Sequence, residues 1–415
     1  MSGPVRLASS PIAPTERVDT VDILRGFAIF GILLVNMELF TTPIYQAGQA
    51  SRLWPGWADR AADGLIRLLA EGKFYTLFSF LFGFGLSVQM GRAQARGVRF
   101  VPLYARRLLV LLLIGAAHAL LVWAGDILVS YAVLGFVLLL FRNRSPRTLL
   151  VSAAATLLLT VLINAAPAGL ELYGERSLGT AERVEQSAET GEAAFELLAQ
   201  QATRAYAHGT FAEIQAQRVR DLRFLYTLEI FGVFSILTMF LLGLYAGRRG
   251  IFQNVHAHVP FIRRAMLWGC GIGIVGNLTF AITAVSTGSP LADLVGSIGF
   301  EVGAPSLSIA YMSAITLLAE RDVWRRRLMP LAAVGRTALS NYLLQSLICT
   351  TIFYSYGLAL FGKVGPAAGA ALAVVIYAVQ IPLSGWWLRR FQFGPMEWLW
   401  RSLTYMKRQP MVESS

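Results

Sequence analysis

The segment "RVDTVDILRGFAIFGILLVNMELF", residues 17–40, decides the fold because it is an apolar run of membrane-spanning length. A helix needs roughly 20 predominantly apolar residues to cross a bilayer. This run nevertheless carries Asp22 and Arg25 near its start, and Asn36 and Glu38 near its end. Ionisable groups inside a membrane helix usually face a cavity or a partner group, so this segment indicates a functional helix as well as a spanning one.

The whole chain has the composition of a polytopic membrane protein. Of its 415 residues, 55% are hydrophobic and 14% are charged, which is too apolar for a soluble globular protein. The net charge of +12 comes from arginine clusters between apolar runs, without the interleaved aromatic residues of a nucleic-acid-binding face. Nucleic acid is therefore not an expected partner. Cys270 and Cys349 lie inside apolar runs and form no disulfide or metal-binding pattern.

Apolar runs predict an all-α membrane protein with about ten transmembrane helices. The predicted spans are residues 23–41, 68–90, 108–123, 126–141, 148–165, 223–246, 265–285, 296–319, 330–354 and 367–388. Arginines concentrate in every even-to-odd connection, at 92–107, 142–147, 248–264 and 321–327. The positive-inside rule then places both termini in the cytoplasm, and we expect the chain in the inner (plasma) membrane. The arginines at 52, 60 and 67 weaken this bias without reversing it.

The sequence divides around one polar insertion. We expect a disordered tail at 1–16, spans one to five within 17–165, spans six to ten within 223–390, and a cytoplasmic interfacial helix and tail at 391–415. Residues 166–222 are polar, with helical apolar spacing at Phe195, Leu198, Ala202 and Tyr206. This pattern predicts a pair of amphipathic helices that cap the outer side of the bundle. A solvated linker is the alternative.

Polar residues near the outer ends of several spans predict a chamber that opens outward. On the predicted topology, Glu38, His118, Glu229 and Glu301 share one depth, and an isolated ionisable group there would cost about 2.5–3.5 kcal/mol. The candidate substrate-binding residues of this layer are Asn36, Glu71, Lys73, Glu229 and Glu301. A chamber shared by these groups is the less costly arrangement.

His118 is the candidate general base of this chamber, with Glu38 and Asp126 as the carboxylates that would orient it. An imidazole held by a carboxylate can accept a proton from a hydroxyl that attacks an activated acyl group. Glu38 lies at the better depth, because Asp126 follows a very short turn and is expected to sit above His118. The alternative is a histidine that merely makes an interhelical hydrogen bond.

A second polar set occupies the cytoplasmic half and is the candidate donor-binding site. Asp22 and Arg25 are spaced to pair on one helix face. Arg25 and Arg336 could together hold a phosphate. The full set comprises Asp22, Arg25, Arg336, Asn341, Gln345, Glu397 and Arg401. The alternative is an intramolecular lattice of ion pairs that includes Asp22 and Glu397.

Four stretches, in this order, also resemble the YeiB-like bacterial membrane proteins, a family classified as a domain of unknown function. They are "VDILRGFAIFGILLVN" (21–36), "HALLVWAGDILVSYAVLG" (118–135), "GRTALSNYLLQSLICTTIFY" (335–354) and "FGPMEWLWRSLTY" (393–405). That family looks distantly similar to transmembrane acyltransferases, including heparan-α-glucosaminide acetyltransferase, whose first span has a similar pattern of Asp, Arg-Gly and Asn. The resemblance implies acyl transfer from a cytoplasmic acyl-CoA to an acceptor on the far side.

The resemblance to the heparan enzyme does not include that enzyme's proposed active histidine. The heparan enzyme's proposed active histidine follows its first span, whereas the corresponding segment here, "NMELFTTPIYQAGQ" (36–49), contains no histidine. His118 belongs instead to the YeiB-like stretch. The resemblance therefore supports the fold and the family membership more strongly than it supports the acyl-transfer chemistry.

We therefore predict a membrane acyltransferase with no tightly bound cofactor or metal and with acyl-CoA as its donor. No ligand pair has metal-binding spacing on one helix. Membrane lipids and a small-molecule or glycan acceptor are the expected partners. The sequence leaves homo-oligomer formation undecided. One alternative is a proton-coupled transporter, in which the same acids relay protons. Another is a non-catalytic membrane protein that binds lipids or small molecules.

Overall fold

The computed structural model describes residues 18–178, 181–283 and 289–412, and the regular secondary structure of this part is helical. This confirms the all-α class; the expected tail at 1–16 lies outside the described residues. The helices are α1 (Asp19–Thr41), α2 (Ala50–Leu53), α3 (Trp57–Leu69), α4 (Lys73–Ala95), α5 (Phe100–Leu121), α6 (Leu128–Leu140), α7 (Pro146–Leu178), α8 (Ala181–His208), α9 (Phe211–Arg248), α10 (Val255–Thr283), α11 (Pro290–Ala319), α12 (Asp322–Arg336), α13 (Ala338–Phe353), α14 (Pro366–Leu388) and α15 (Pro395–Tyr405).

Each predicted span falls on an apolar helix, but two of these helices are short. Within the described chain, seven helical segments are long and apolar enough to cross a membrane, and α9 makes an eighth although its two halves are inclined by 62°. The short apolar helices α6 and α13 coincide with predicted spans four and nine. The protein is therefore a multi-pass membrane protein, with seven or eight described helical segments of spanning length.

Predicted span nine is the clearest departure from the expected helices. The expected helix at 330–354 breaks at Thr337, which has φ −114° and ψ 32° and separates α12 from α13. The Thr337 hydroxyl donates to the Ala333 carbonyl at 3.0 Å, so it bonds back to the preceding helix. Arg336 therefore ends one helix and Asn341 lies on the next.

Helix α1 lies at the centre of the bundle and packs against α4, α12, α13 and α14. Ile23, Leu24, Ala28 and Leu33 are almost fully buried on it. A helix that is apolar on all sides is stable when other helices surround it. Its central position brings Asp22 and Arg25 into the interior of the inner half.

Glycines bring other helix pairs into close contact, as their small-xxx-small spacing predicts. A Cβ at Gly247 would lie 2.6 Å from the Ser87 Cβ of α4, and one at Gly273 would lie 2.7 Å from the Leu307 nitrogen of α11. Gly243 and Gly269 likewise face backbone carbonyls of α4 and α11. Only glycine permits backbones to approach this closely.

Where it is described, the insertion at 166–222 comprises the end of α7, helix α8 and the start of α9, with Gly209 and Thr210 between α8 and α9. Asp221 of α9 is buried and accepts hydrogen bonds from Tyr45 Oη at 3.0 Å, Tyr206 Oη at 2.5 Å and Gln217 Nε2 at 2.8 Å. Buried Arg218 donates from Nη1 to the Leu120 carbonyl at 3.2 Å. These bonds fasten α8 and α9 to the end of α5. That they face outward stays a prediction.

Both described ends of the chain lie at the same end of the bundle. Arg325 Nη2 is 2.7 Å from Asp19 Oδ2, which ties the start of α12 to the start of α1. Arg106 Nη1 donates to the Thr404 carbonyl at 3.2 Å, which ties the start of α5 to the end of α15. This agrees with termini on one side of the membrane, predicted to be the cytoplasmic side.

Candidate functional site

A buried pair of His118 and Asp126 forms the centre of the site, and we call this pair the dyad. His118 Nδ1 lies 2.7 Å from Asp126 Oδ2, and both residues are 3% exposed. The expectation that Asp126 sits above His118 is therefore wrong. A carboxylate bonded to one imidazole nitrogen fixes the orientation of the ring and the tautomer that it adopts.

The turn between α5 and α6 brings the two side chains together. Helix α5 ends at Leu121, and the next two backbone N–H groups, of Val122 and Trp123, both donate to the His118 carbonyl at 2.9 Å. The chain therefore reverses direction directly after α5, which brings the Asp126 side chain into contact with His118. Its Oδ1 then accepts the Val129 N–H at 2.9 Å at the start of α6.

The other imidazole nitrogen of His118 has no protein partner. Nε2 is buried and makes no hydrogen bond within the described part of the chain. Aromatic rings flank the imidazole, with centroids 6.4 Å away at Trp123 and 5.3 Å away at Tyr342. A buried nitrogen without a partner is costly, so such an atom usually serves a ligand or a reaction.

His118 lies in the wall of an apolar recess that we call the groove. The groove has a volume of about 780 Å³ and runs between α5, α13, α14 and α15. Its lining includes Val110, Ile114, Ala117, Leu121, Leu344 and Trp387. Leu113, Leu347 and Leu403 in the same wall are about half exposed or more, so the groove opens on the lipid-facing side of the bundle.

A second recess, which we call the inner cavity, lies at the arginine-rich end of the bundle. It has a volume of about 300 Å³ and is lined by six arginines and two acidic residues. The arginines are Arg25, Arg92, Arg96, Arg107, Arg336 and Arg401, and the acids are Asp22 and Glu397. This excess of positive charge favours an anionic ligand, because guanidinium groups bind phosphates with paired hydrogen bonds.

Tyr342 lies between the inner cavity and the dyad. It belongs to the wall of the inner cavity together with Ile127, the residue after Asp126. Its ring neighbours the imidazole, and its hydroxyl donates to the Gly125 carbonyl at 3.4 Å. The inner cavity therefore reaches from the arginine-rich end to the base of the dyad.

Glu229 is the one other acid of the predicted outer layer that lies near the dyad. Ser130, which follows Asp126 by four residues, donates from Oγ to Glu229 Oε2 at 2.6 Å. Asp126 and Glu229 also interact electrostatically with each other and with Tyr342. The structure therefore joins Glu229 to the His118 surroundings, as the shared depth predicts.

Two of the other outer acids, Glu38 and Glu71, lie in a separate group around Arg67. Glu38 Oε1 accepts the Gly48 N–H at 2.8 Å, whereas the carboxylate that holds His118 is Asp126. Glu38 and Glu71 share the electrostatic field of Arg67, whose Nε lies 3.0 Å from Asp63 Oδ2. The single chamber expected from sequence is thus divided, and Glu38 does not take the orienting role that its depth suggested.

The remaining outer candidates have their own surroundings. Lys73 is fully buried, donates from Nζ to the Arg67 carbonyl at 2.7 Å and lies 5.8 Å from the Phe300 ring centroid. Glu301 is 9% exposed on α11 and interacts electrostatically with Tyr75. Asn36 is half-buried on α1. These positions do not add a ligand to the dyad.

The inner cavity gathers most of the predicted donor set. Asp22, Arg25, Arg336, Glu397 and Arg401 all line it. Asp22 and Arg25 pair at 2.9 Å, as their spacing predicts. Glu397 instead accepts from the Leu339 and Ser340 N–H groups at 2.7 and 3.2 Å, and so caps the start of α13. Asp22 thus forms an ion pair with Arg25, as the lattice alternative expects, whereas Glu397 bonds to backbone N–H groups.

Asn341 and Gln345 of the predicted donor set instead join two helices. Gln345 Nε2 donates to Gln380 Oε1 at 2.7 Å, and Gln380 Nε2 donates to the Asn341 carbonyl at 3.1 Å. Asn341 Nδ2 also reaches Ser384 Oγ at 3.0 Å. These amides hold α13 against α14, and neither residue lines the inner cavity as described.

Sequence reasoning missed three arginines of the inner cavity. Arg92, Arg96 and Arg107 were assigned only to membrane topology, yet all three line the cavity. The guanidinium carbon of Arg107 lies 3.7 Å from the centroid of the Trp400 ring, and Trp400 Nε1 donates to the Arg107 carbonyl at 2.8 Å. The spacing of Arg92 and Arg96, four residues apart on one helix face, was the available signal.

Comparisons with known proteins extend over the whole chain. Residues 246–407 match a family model described as "Protein of unknown function (DUF418)". The chain is 38% identical over 424 residues to "Uncharacterized protein YxaH" of Bacillus subtilis (strain 168), with 98% of each sequence covered. It is 30% identical over 412 residues to "Uncharacterized protein YeiB" of Escherichia coli (strain K12), covering 96% of this chain and 99% of that protein.

Proposed function

Because the chain belongs to the YeiB-like (DUF418) family of membrane proteins, we propose its function from the chemistry of the dyad: an integral-membrane acyltransferase of the bacterial cell membrane. The observation that carries this proposal is the 2.7 Å bond between His118 Nδ1 and Asp126 Oδ2, with a buried Nε2 that has no partner in the described chain. A histidine oriented in this way acts as a general base in many acyl-transfer sites.

The inner cavity supplies the donor side of this proposal. Its arginines suit the phosphates of an acyl-CoA that arrives from the cytoplasm. A volume of about 300 Å³ is small for a ligand site, so it would hold only part of such a donor, and the rest would extend into the cytoplasm. The acyl thioester would then approach the dyad past Tyr342.

The reaction follows from these positions. An acceptor hydroxyl or amine gives its proton to His118 Nε2 while its oxygen or nitrogen bonds to the thioester carbonyl carbon. The carbon–sulfur bond then breaks, and the leaving thiolate takes the proton from the imidazolium. Asp126 positions the ring and stabilises its charged form during transfer. The acyl group ends on the acceptor and free CoA thiol returns to the cytoplasmic side.

The test is thiol release by purified protein incubated with acetyl-CoA or longer acyl-CoAs together with an alcohol or amine acceptor. We expect release by the wild type and its loss in His118→Ala. His208→Ala is the matched control, because His208 is exposed on α8. Equal release by wild type and His118→Ala, or no release by the wild type with any acyl-CoA, would overturn the proposal. Folded yield on size exclusion separates lost chemistry from lost structure.

One observation favours the alternative of a proton-coupled transporter. The two halves of α9, Phe211–Glu229 and Gly232–Arg248, are inclined by 62°, and the bend directly follows Glu229. Transporters often place an ionisable group at a discontinuous helix. Proton-coupled uptake into liposomes that is lost in Glu229→Gln would support transport. No acyl-CoA is needed in that assay, so it separates the two functions.

A further inference from the structure

We infer that the acceptor is a membrane amphiphile whose hydrocarbon chain lies in the groove and whose hydroxyl or amine reaches His118. The inference rests on the proposed function, because it names the substrate class that the dyad would act on. It narrows the small-molecule or glycan acceptor expected from the sequence to a molecule that carries a hydrocarbon chain. The two recesses then separate the two substrates, with the donor in the inner cavity and the acceptor in the groove.

The chemistry of the groove suits a hydrocarbon chain. Apart from His118, its wall along α5 is apolar and includes Val110, Ile114, Ala117 and Leu121. Polar side chains of the wall other than His118 belong to Thr337, Ser340, Asn341 and Ser384. All four have hydrogen-bond partners within the protein. A water-soluble sugar would find few groups there to replace its bonds to water, whereas a chain needs none.

The dimensions of the groove match one leaflet. Along α5 it extends from Val110 to His118 and Leu121. At 1.5 Å per residue this path is roughly 16 Å long, close to half of a hydrocarbon core about 30 Å thick. Its volume of about 780 Å³ is in the range that holds a lipid-sized chain. His118 lies near one end of this path, so the hydroxyl or amine of a bound amphiphile would lie at that end.

His118 is the feature that makes the groove a reaction site as well as a lipid-facing recess. His118 lines the groove, and its Nδ1 contacts Asp126, so Nε2 is the ring nitrogen that a ligand could use. The residue is 3% exposed, and Nε2 has no partner in the described chain. A bare apolar recess would require no such group. An acceptor O–H or N–H would provide the missing hydrogen bond.

The experiment uses a C16 alcohol with a mid-chain diazirine, photolysed with the full-length protein in lipid nanodiscs without any acyl-CoA. We expect cross-links on α5 and α13 within the groove. Dodecyl β-D-glucoside should compete for these sites and free glucose should not.

Ala117→Phe is the variant that tests the groove itself. Ala117 is exposed on the wall, so a phenyl ring there would fill the recess while leaving the core unchanged. Cross-linking in the groove should fall about tenfold, because the phenyl ring occupies the space that the hydrocarbon chain would fill. Ala155→Phe on α7 is the matched control, because Ala155 is equally exposed and lies outside both described recesses. It should cross-link like the wild type.

The outcomes separate this inference from the proposed function. Labelling of α5 and α13 no stronger than that of the exposed face of α10, or equal labelling of wild type and Ala117→Phe, would overturn the inference. Because labelling needs no donor, it can succeed even if acyl-CoA turnover is absent. Conversely, thiol release stimulated by glucosamine as strongly as by dodecyl β-D-glucoside would support the acyltransferase and overturn the amphiphile.

Discussion

The ring of Tyr342 lies 5.3 Å from the imidazole of His118, between the inner cavity and the dyad. One side of this phenol therefore faces the expected path of the donor and the other faces the base. Removal of the ring should let water reach the thioester. We predict that Tyr342→Ala raises acyl-CoA hydrolysis measured without acceptor, whereas Tyr342→Phe, which keeps the ring, does not. An unchanged hydrolysis rate in Tyr342→Ala would contradict a separating role.

Asp126→Asn should leave the fold intact and slow the chemistry. The amide oxygen can still accept the Val129 N–H at the start of α6, so the cap of that helix is retained. The carboxylate that holds the histidine tautomer and stabilises the imidazolium is lost. We expect kcat to fall about 10²–10⁴-fold with little change in KM. Steady-state thiol release gives both constants, and a loss in KM alone would point to substrate binding instead.

Arg401→Gln tests the donor side. Arg401 lines the inner cavity, and its guanidinium carbon lies 4.6 Å from the Phe393 ring centroid. Loss of one charged hydrogen bond to a phosphate should raise the KM for acyl-CoA roughly tenfold. Arg264→Gln is the control, because Arg264 is exposed on α10. If both variants give the same KM, the cavity does not bind the donor.

Glu397 should control the stability of α13 and its dependence on pH. Burial raises the pKa of the Glu397 carboxyl, although hydrogen bonds from Ser340 and Leu339 act in the opposite direction. With a folded pKa above the unfolded pKa, its contribution to stability is fully present below the unfolded pKa. That contribution is lost as the pH rises through the folded pKa. Tm measured in detergent should therefore decline over that pH interval in the wild type.

Two substitutions at this position give the matched comparison. Glu397→Gln removes the titration, so its Tm should vary less with pH over the same interval. Glu397→Ala removes the acceptor from the Leu339 and Ser340 N–H groups and should destabilise the protein by about 1 kcal/mol, typical of a lost helix cap. An equal pH dependence in wild type and Glu397→Gln would assign the titration to another group.

Sequence reasoning found the helices because length and apolarity determine them. The first span was predicted at 23–41 and observed as α1, Asp19–Thr41. The inner set was found as well, because Asp22 and Arg25 have a spacing that pairs side chains on any helix. These features depend on local geometry alone, so no tertiary information was needed.

The partner of His118 could not be found in this way. A straight α5 helix that continues to residue 123 would place the Asp126 side chain above the His118 imidazole. The structure ends α5 at Leu121 and wraps the next two N–H groups onto the His118 carbonyl. A change of two residues in a helix end moves a side chain by more than the length of a hydrogen bond. Asn341 and Gln345 differ from the donor-binding prediction for the same reason, because that prediction assumes one continuous helix across Thr337.

Asp126 accepts the Val129 N–H with Oδ1 and contacts His118 Nδ1 with Oδ2. The same carboxylate therefore starts a helix and orients the candidate base. A chain that has completed the connection from α5 to α6 has already assembled its reactive pair, with no later adjustment of loops. An inserted or deleted residue between 119 and 125 would disrupt both at once, so the length of this turn is a requirement of the chemistry.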